Sequence, residues 1–502
     1  MFRRIQFPSE IESLVRFVEE TPGGRIVPET IAQLRAGCRG EDLLRASVLA
    51  AMRSTELSVG HHGGPMHVMC GVFPAYETAQ RLSGERAFLP VIQHVALANA
   101  HIQAPETGPY LMPEKVPVQA KDVPRFMWKE GFQPGTPVDD TRDAFVRMME
   151  IKEPSIAEGH LLWLLERVPP GEILDLILGH ALPLNPYDDH YALFPLYAAR
   201  ALDVIGWEWA PVLFRAVVSW QARNPYGDAH GASTAIDGLL REYGLLDGET
   251  RLHGSVDETD AIGQLGMRIG EVGDLSVVPQ MVAEALAQGL SMEGAGEAIS
   301  IGAGTLYLRT DYGNPMDSHL HTGITGRRHL LANEGVSLRN KLIGLLTWST
   351  GPELVVFQDR IDWPSRADAG RLAAFPDRGQ TALLGAIEES CRDYPTPADL
   401  SLYALFSLRT SPEVRHTMAL AEQYAMRGYD PAELFALMAR IVSEDSFTEM
   451  HALKHHQATV DEYYSVREPF RWVHLVGAAK FAAVTYGASR KVFNAAADVL
   501  AI

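Results

Sequence analysis

From Asp139 to Leu500, apolar residues recur at helical spacing almost without pause, and Gly, Pro or Asp punctuates each run. No other feature narrows the fold as much. Alternating strand patterns are scarce, Leu354-Val355-Val356-Phe357 being the best short candidate, and β-branched residues do not cluster. Ala and Leu dominate the periodic runs, in keeping with their helix propensity. Short helices joined by tight turns must bury their apolar stripes against one another. The expected fold is therefore all-α, a multi-helical array of antiparallel helix pairs, compact or solenoid-like. No fixed repeat period stands out, which favours an irregular compact array over an open regular solenoid.

One stretch breaks the pattern. Residues 105–138 carry Pro105, Pro109, Pro113, Pro117, Pro124, Pro134 and Pro137, too many for a long regular element. The expected division is 1–104, an N-terminal helical part; 105–138, a Pro-rich lid, linker or surface arm; and 139–502, the helical array, continuous with 1–104. Within that array, Gly294-Ala295-Gly296 and Gly302-Ala303-Gly304 have no preceding strand and no following Lys-Ser/Thr. They are expected to serve close helix packing rather than phosphate binding.

Charge and cysteine content exclude several roles. The 502 residues carry a formal charge of −19, which argues against a broad nucleic-acid footprint. Cys38, Cys70 and Cys391 are too few and too widely spaced for a disulfide framework, so a reducing compartment is expected. No apolar run approaches the ~18 residues a membrane span needs, and Pro8 and Ser9 stand where a signal peptide would have its apolar region. The expected setting is cytoplasmic, with a small-molecule substrate, neither nucleic acid nor membrane as partner, and a homodimer as one assembly to test.

The 18 histidines carry the chemical signal. His67, His190, His230, His319, His321 and His474 stand near the starts of expected helices, beside Gly or Asp, where stacked helices could bring them to one cavity. Three clusters are denser. Gly60-His61-His62-Gly63-Gly64-Pro65-Met66-His67 leads into a helix that also carries Cys70; it points to a metal site or, as the plainer account, a buried polar turn. Asp317-Ser318-His319-Leu320-His321 places both imidazoles on one side if extended and on nearly opposite sides if helical, so that only one could then ligate. Asp317 could orient an imidazole or cap the helix. Arg327 and Arg328 beyond it could hold an anion or form a solvated helix face.

The third cluster is Glu449-Met450-His451-Ala452-Leu453-Lys454-His455-His456. In a helix His451 and His455 share a face, and Glu462 remains on it. The sequence lacks His-Glu-x-x-His, so a zincin-type protease would have no general base. His-led helices in an all-helical chain of this size resemble, in texture only, the questin-oxidase-like oxygenases. No motif aligns, and no residue or activity is taken from the likeness.

These clusters point first to a metal-dependent enzyme, a non-haem oxidase or oxygenase acting on a small organic substrate in a His-lined cavity. The expected ligands are His67, His319, His451 and His455, with His62, Asp317 and Glu462 as catalytic groups; Asp317 and Glu462 could be a further ligand or a proton relay. Fe is the expected metal, with Mn, Zn or no metal as alternatives. A metal-free enzyme using the same histidines as acids and bases is the second reading. A non-catalytic helical scaffold for a protein partner is the third, and it requires exposed histidines and no deep cavity.

Overall fold

The computed structural model describes residues 3–55, 63–107, 111–128, 131, 133–184, 189–223, 232–311, 315–350, 360–367, 372, 378–393, 395–397, 409–445, 447–500 and 502. Among these, the chain is all-α, with twenty-two α-helices. The only β pairing in the described residues is two isolated bridges, Arg4 with Pro113 and Thr310 with Ile361. The strand expected at 354–357 lies outside the described residues, as do His61, His62 and His230.

The first five helices are α1 (Ser9–Glu20), α2 (Ile26–Arg35), α3 (Gly40–Ser54), α4 (Met66–Gln80) and α5 (Leu89–Gln103). After the Pro-rich stretch come α6 (Pro137–Glu150), α7 (Pro154–Leu165), α8 (Pro170–Leu184), α9 (His190–Ile205), α10 (Ala210–Arg223) and α11 (Ala232–Glu242). The series continues with α12 (Thr259–Glu271), α13 (Val278–Ala287), α14 (Met292–Arg309), α15 (His319–Ala332) and α16 (Leu338–Leu346). The last six are α17 (Gln380–Arg392), α18 (Val414–Met426), α19 (Pro431–Val442), α20 (Phe447–Ser465), α21 (Trp472–Thr485) and α22 (Lys491–Leu500).

One apolar cluster runs from Phe7 to Leu500, so N-terminal and C-terminal helices share a core. Helix α4 packs against α9 and α20, and α22 packs against α2 and α5. The glycines of α14 serve close packing. A Cβ on Gly302 would lie 2.3 Å from Ile269 of α12, and one on Gly266 would lie 2.9 Å from Ile301. Gly266 meets Ile301 and Gly270 meets Thr305, so α12 and α14 run side by side in the same direction.

The Pro-rich stretch is tied down at several points. Ile5 N–H donates to the Met112 carbonyl (2.9 Å), Met112 N–H to the Arg53 carbonyl (2.8 Å) and Val118 N–H to the Gly159 carbonyl (2.9 Å). It runs along the outside of the N-terminal segment and α7, and leaves Val116 and Phe126 exposed.

Four helices matter most for the site. α4, α9, α15 and α20 contact one another in a ring, α4 to α9 to α15 to α20 and back to α4. Their first turns carry His67, His190, His319 and His451, which line one cavity. Phe73, Arg200, Arg328 and Asp461, further along the same helices, line a second cavity together. All four helices therefore run in the same direction. At 1.5 Å per residue, the six to ten residues between these positions put the two cavities about 9–15 Å apart.

Candidate metal centre

The chain enters α4 through Gly63, whose φ of +122° only glycine adopts without strain. A Cβ there would also lie 2.4 Å from the Phe194 ring. This close approach seats the start of α4 beside α9 and turns His67 inward. α9 opens at Asp189, itself left-handed at φ +54°. Arg327 of α15 grips the Asp189 carboxylate through two hydrogen bonds of 2.6 and 2.7 Å. The Arg327 guanidinium also donates to the Gly344 carbonyl (2.6 Å) and is fully buried. The anion site or solvated face expected at Arg327 is thus a buried ion pair that locks the start of α9 against α15.

α20 begins irregularly. Glu449 and Met450 both have positive φ, +54° and +65°, an arrangement that costs non-glycine residues energy and marks constrained sites. Glu449 is turned to His67, with 3.1 Å between Glu449 Oε2 and His67 Nε2. Potential ligand atoms of His67, Glu449 and His451 all lie within 4.8 Å of one another. Two imidazoles and a carboxylate in this arrangement form a donor set suited to a divalent transition metal.

The surrounding side chains close the site. The rings of His67 and His451 are 5.2 Å apart, His67 and His190 4.9 Å, His190 and His319 5.8 Å, and His319 and His451 5.6 Å. Four imidazoles thus surround a cavity of about 10 Å³, on the scale of one water or one ion. All four are buried. Phe194 stacks on His190, and Leu193 and Tyr197 complete an apolar wall. Lys454 Nζ donates to His67 Nδ1 at 2.8 Å and lies 3.4 Å from His451 Nε2. Burial pulls the Lys454 ammonium down to about 8, opposed by the Glu449 carboxylate. Burial pushes the Cys70 thiol up to about 12, so it lines the cavity as a neutral group.

The other expected site residues sit elsewhere. In the helical setting His319 and His321 diverge, and His321 points to a second buried group. His455 Nε2 is 3.1 Å from His321 Nδ1, and His321 Nε2 is 3.3 Å from His474 Nδ1. His455 is thus paired with His321 and stacked on Phe481, not among His67, Glu449 and His451. Glu462 accepts from Ser300 (2.6 Å) and Arg328 (2.7 Å) in the wall of the second cavity. Asp317 accepts from Thr310 (2.9 Å), and Lys480 donates to Thr310 Oγ1 (3.0 Å). Burial pushes Asp317 up to about 7 against the pull of Lys480. His62 lies outside the described residues. Glu449 and Lys454 join the site from within the third cluster, and His190 from the histidines at helix starts, although none of the three was expected as a ligand or catalytic group.

Burial of imidazoles outside the cavity has a consequence for stability. His94, His456 and His474 are held down to about 4, 3 and 3, in each case chiefly by desolvation. The unfolded chain protonates these groups near 6.5, whereas the folded chain leaves them neutral until far lower pH. The stability these three groups contribute is therefore full above pH 6.5 and falls as pH drops from there toward 3, by about 1.4 kcal/mol per pH unit for each, outweighing the opposite contribution of the single raised Asp317 carboxyl. Urea midpoints measured from pH 7 to pH 5 are expected to fall steeply below pH 6; a flat profile would contradict the burial.

No helix among the described residues is long and apolar enough to cross a membrane. No protein-family model, curated protein or solved structure matches the chain.

Proposed function

We propose that the chain is a metal-dependent enzyme, a non-haem oxidase or oxygenase that holds iron through His67, His451 and Glu449 and acts on a small organic substrate. One observation carries this reading: two imidazoles that line a buried cavity sized for an ion converge with a half-buried carboxylate beside it. A two-histidine, one-carboxylate set leaves coordination positions open, and such sites suit O2 activation by Fe(II). His190 and His319 line the same cavity as His67 and His451, where they can orient a substrate or exchange protons with it. The helix starts of α4, α9, α15 and α20 direct their positive ends at the same point, which favours an anionic ligand or substrate group beside the metal.

Lys454 favours a second reading. An ammonium 2.8 Å from His67 Nδ1 repels another cation, and if it stays charged the same residues form a proton-transfer centre without metal. The scaffold reading requires exposed histidines, and these four are buried.

Elemental analysis of untagged protein, as purified and after anaerobic incubation with Fe(II), separates the first two. About one iron per chain is expected after gel filtration, with Mn(II) or Zn(II) competing for the same position. Absence of stoichiometric metal under every loading condition would leave the metal-free reading.

A further inference from the structure

We infer that His455, His321, His474, Ser300 and Glu462 form a proton relay between the level of the metal centre and the large cavity at the far end of the four-helix ring. The inference rests on the metal-centre reading for the use of the protons, but its geometry stands apart from it. The five groups form one head-to-tail chain. His455 Nε2 meets His321 Nδ1 at 3.1 Å; His321 Nε2 meets His474 Nδ1 at 3.3 Å; His474 Nε2 meets Ser300 Oγ at 3.3 Å; and Ser300 Oγ donates to Glu462 Oε2 at 2.6 Å. His321 and His474 each use both ring nitrogens, as a relay requires, and both of their partners in the chain are side chains that can pass a proton on. All three imidazoles are buried.

The carboxylate sets the direction of every proton. Glu462 is paired with Arg328 and accepts from Ser300, so the Ser300 oxygen is free to accept from His474 Nε2–H. His474 Nδ1 then accepts from His321 Nε2–H, and His321 Nδ1 from His455 Nε2–H. This leaves the lone pair of His455 Nδ1, which is buried and has no hydrogen-bond partner among the described residues. His455 stands one turn beyond His451 on α20. A buried, unsatisfied acceptor at the end of a polarised chain is an entry point for a proton.

The transfer balances without leaving a cation inside. A proton arrives at His455 Nδ1, and the Nε2 proton of His455 moves to His321 Nδ1. The Nε2 proton of His321 moves to His474 Nδ1, the Nε2 proton of His474 to Ser300 Oγ, and the hydroxyl proton of Ser300 to Glu462. Each imidazole ends neutral in its other tautomer, and the proton rests on Glu462. Glu462 lines a cavity of about 980 Å³. The chain is then set for one passage in reverse, so outward and inward transfers alternate. A centre whose substrate gives up one proton before oxygen reduction draws one back can use such a path, the first passage running outward and the second inward.

Two measurements test this. Nitrogen NMR of protein labelled with 15N-histidine should show His455, His321 and His474 neutral and protonated at Nε2 at pH 7. Glu462→Gln replaces the acceptor with a group that can donate to Ser300, and should shift the three toward the Nδ1–H form. Opposite tautomers in the parent, or tautomers indifferent to Glu462→Gln, would overturn the relay. This arm needs no metal. In the second arm, iron-loaded protein is mixed with air-saturated buffer, and proton uptake is followed with an indicator dye. Ser300→Ala and His474→Gln, which keep most of the packing, should each slow uptake about tenfold or more with iron content unchanged. Uptake at the parent rate in both variants would also overturn the relay. If iron does not bind, the metal-centre reading fails and the tautomers alone decide.

Discussion

Replacing Glu449 with Gln is expected to empty the metal centre. The substitution changes no volume, so the effect reads chemistry rather than packing. Glu449 is the sole anionic member of the set that converges with His67 and His451. Both imidazoles bind as neutral donors, and the Lys454 ammonium adds positive charge beside them. Without the carboxylate nothing offsets the charge of a divalent ion in a buried space. Loss of an outer partner of a ligand costs 10–100-fold in affinity; loss of this ligand should exceed about 100-fold. Iron carried through gel filtration should fall from about one per chain to a trace, with the far-UV dichroism unchanged. His451→Ala should do the same. His455→Ala should keep its iron, because His455 lies in the relay and not in the ligand set. Full iron in Glu449→Gln would mean that other residues hold the ion.

Arg327→Leu is expected to be the most damaging single change to the fold around the site. Arg327 and Asp189 are both buried, and the pair makes two short hydrogen bonds. Removing the arginine takes two short hydrogen bonds and the opposite charge from the buried Asp189 carboxylate and leaves the Gly344 carbonyl without that donor. Breaking a buried pair in this way costs about 3–5 kcal/mol. Asp189 also precedes His190 directly, with a left-handed backbone that the ion pair holds in place. Release should let the start of α9 relax and move His190 off the cavity. Chemical denaturation should show the lost stability. The double substitution Asp189→Asn with Arg327→Leu should recover a good part of it, since the buried carboxylate that lost its guanidinium is then neutral. Recovery near zero would place the damage in packing instead.

The fold was readable because burying helical stripes leaves few alternatives, and the helix series from Asp139 onward follows the apolar periodicity. The divergence of His319 and His321 was also readable: once Ser318 precedes a helix, two residues apart cannot share a face. The convergence of distant helix starts was visible only as a coincidence of His with Gly and Asp at helix openings. Glu449 was illegible for a definite reason. Its position suits the third residue of a capping box, and only the positive φ values of Glu449 and Met450 turn it to His67 instead. His451 and His455 share a helical face by spacing, yet α15 divides their surroundings, giving His319 to one and His321 to the other. Spacing along one helix does not record which neighbour inserts between two turns.

Running four helices in one direction gives the ring an electrical polarity that alternating helices would cancel. Negative charge is drawn toward the imidazole end, and positive charge toward the end lined by Glu462 and Asp461. An oxygen molecule gaining electrons would gain them where the backbone attracts them most, while a proton given up by the substrate at that end would travel down the gradient to Glu462 before any proton returns against it. The barrel would then act less as a container than as a biased wire, and reversing any one of its helices would weaken that bias even with every side chain kept in place.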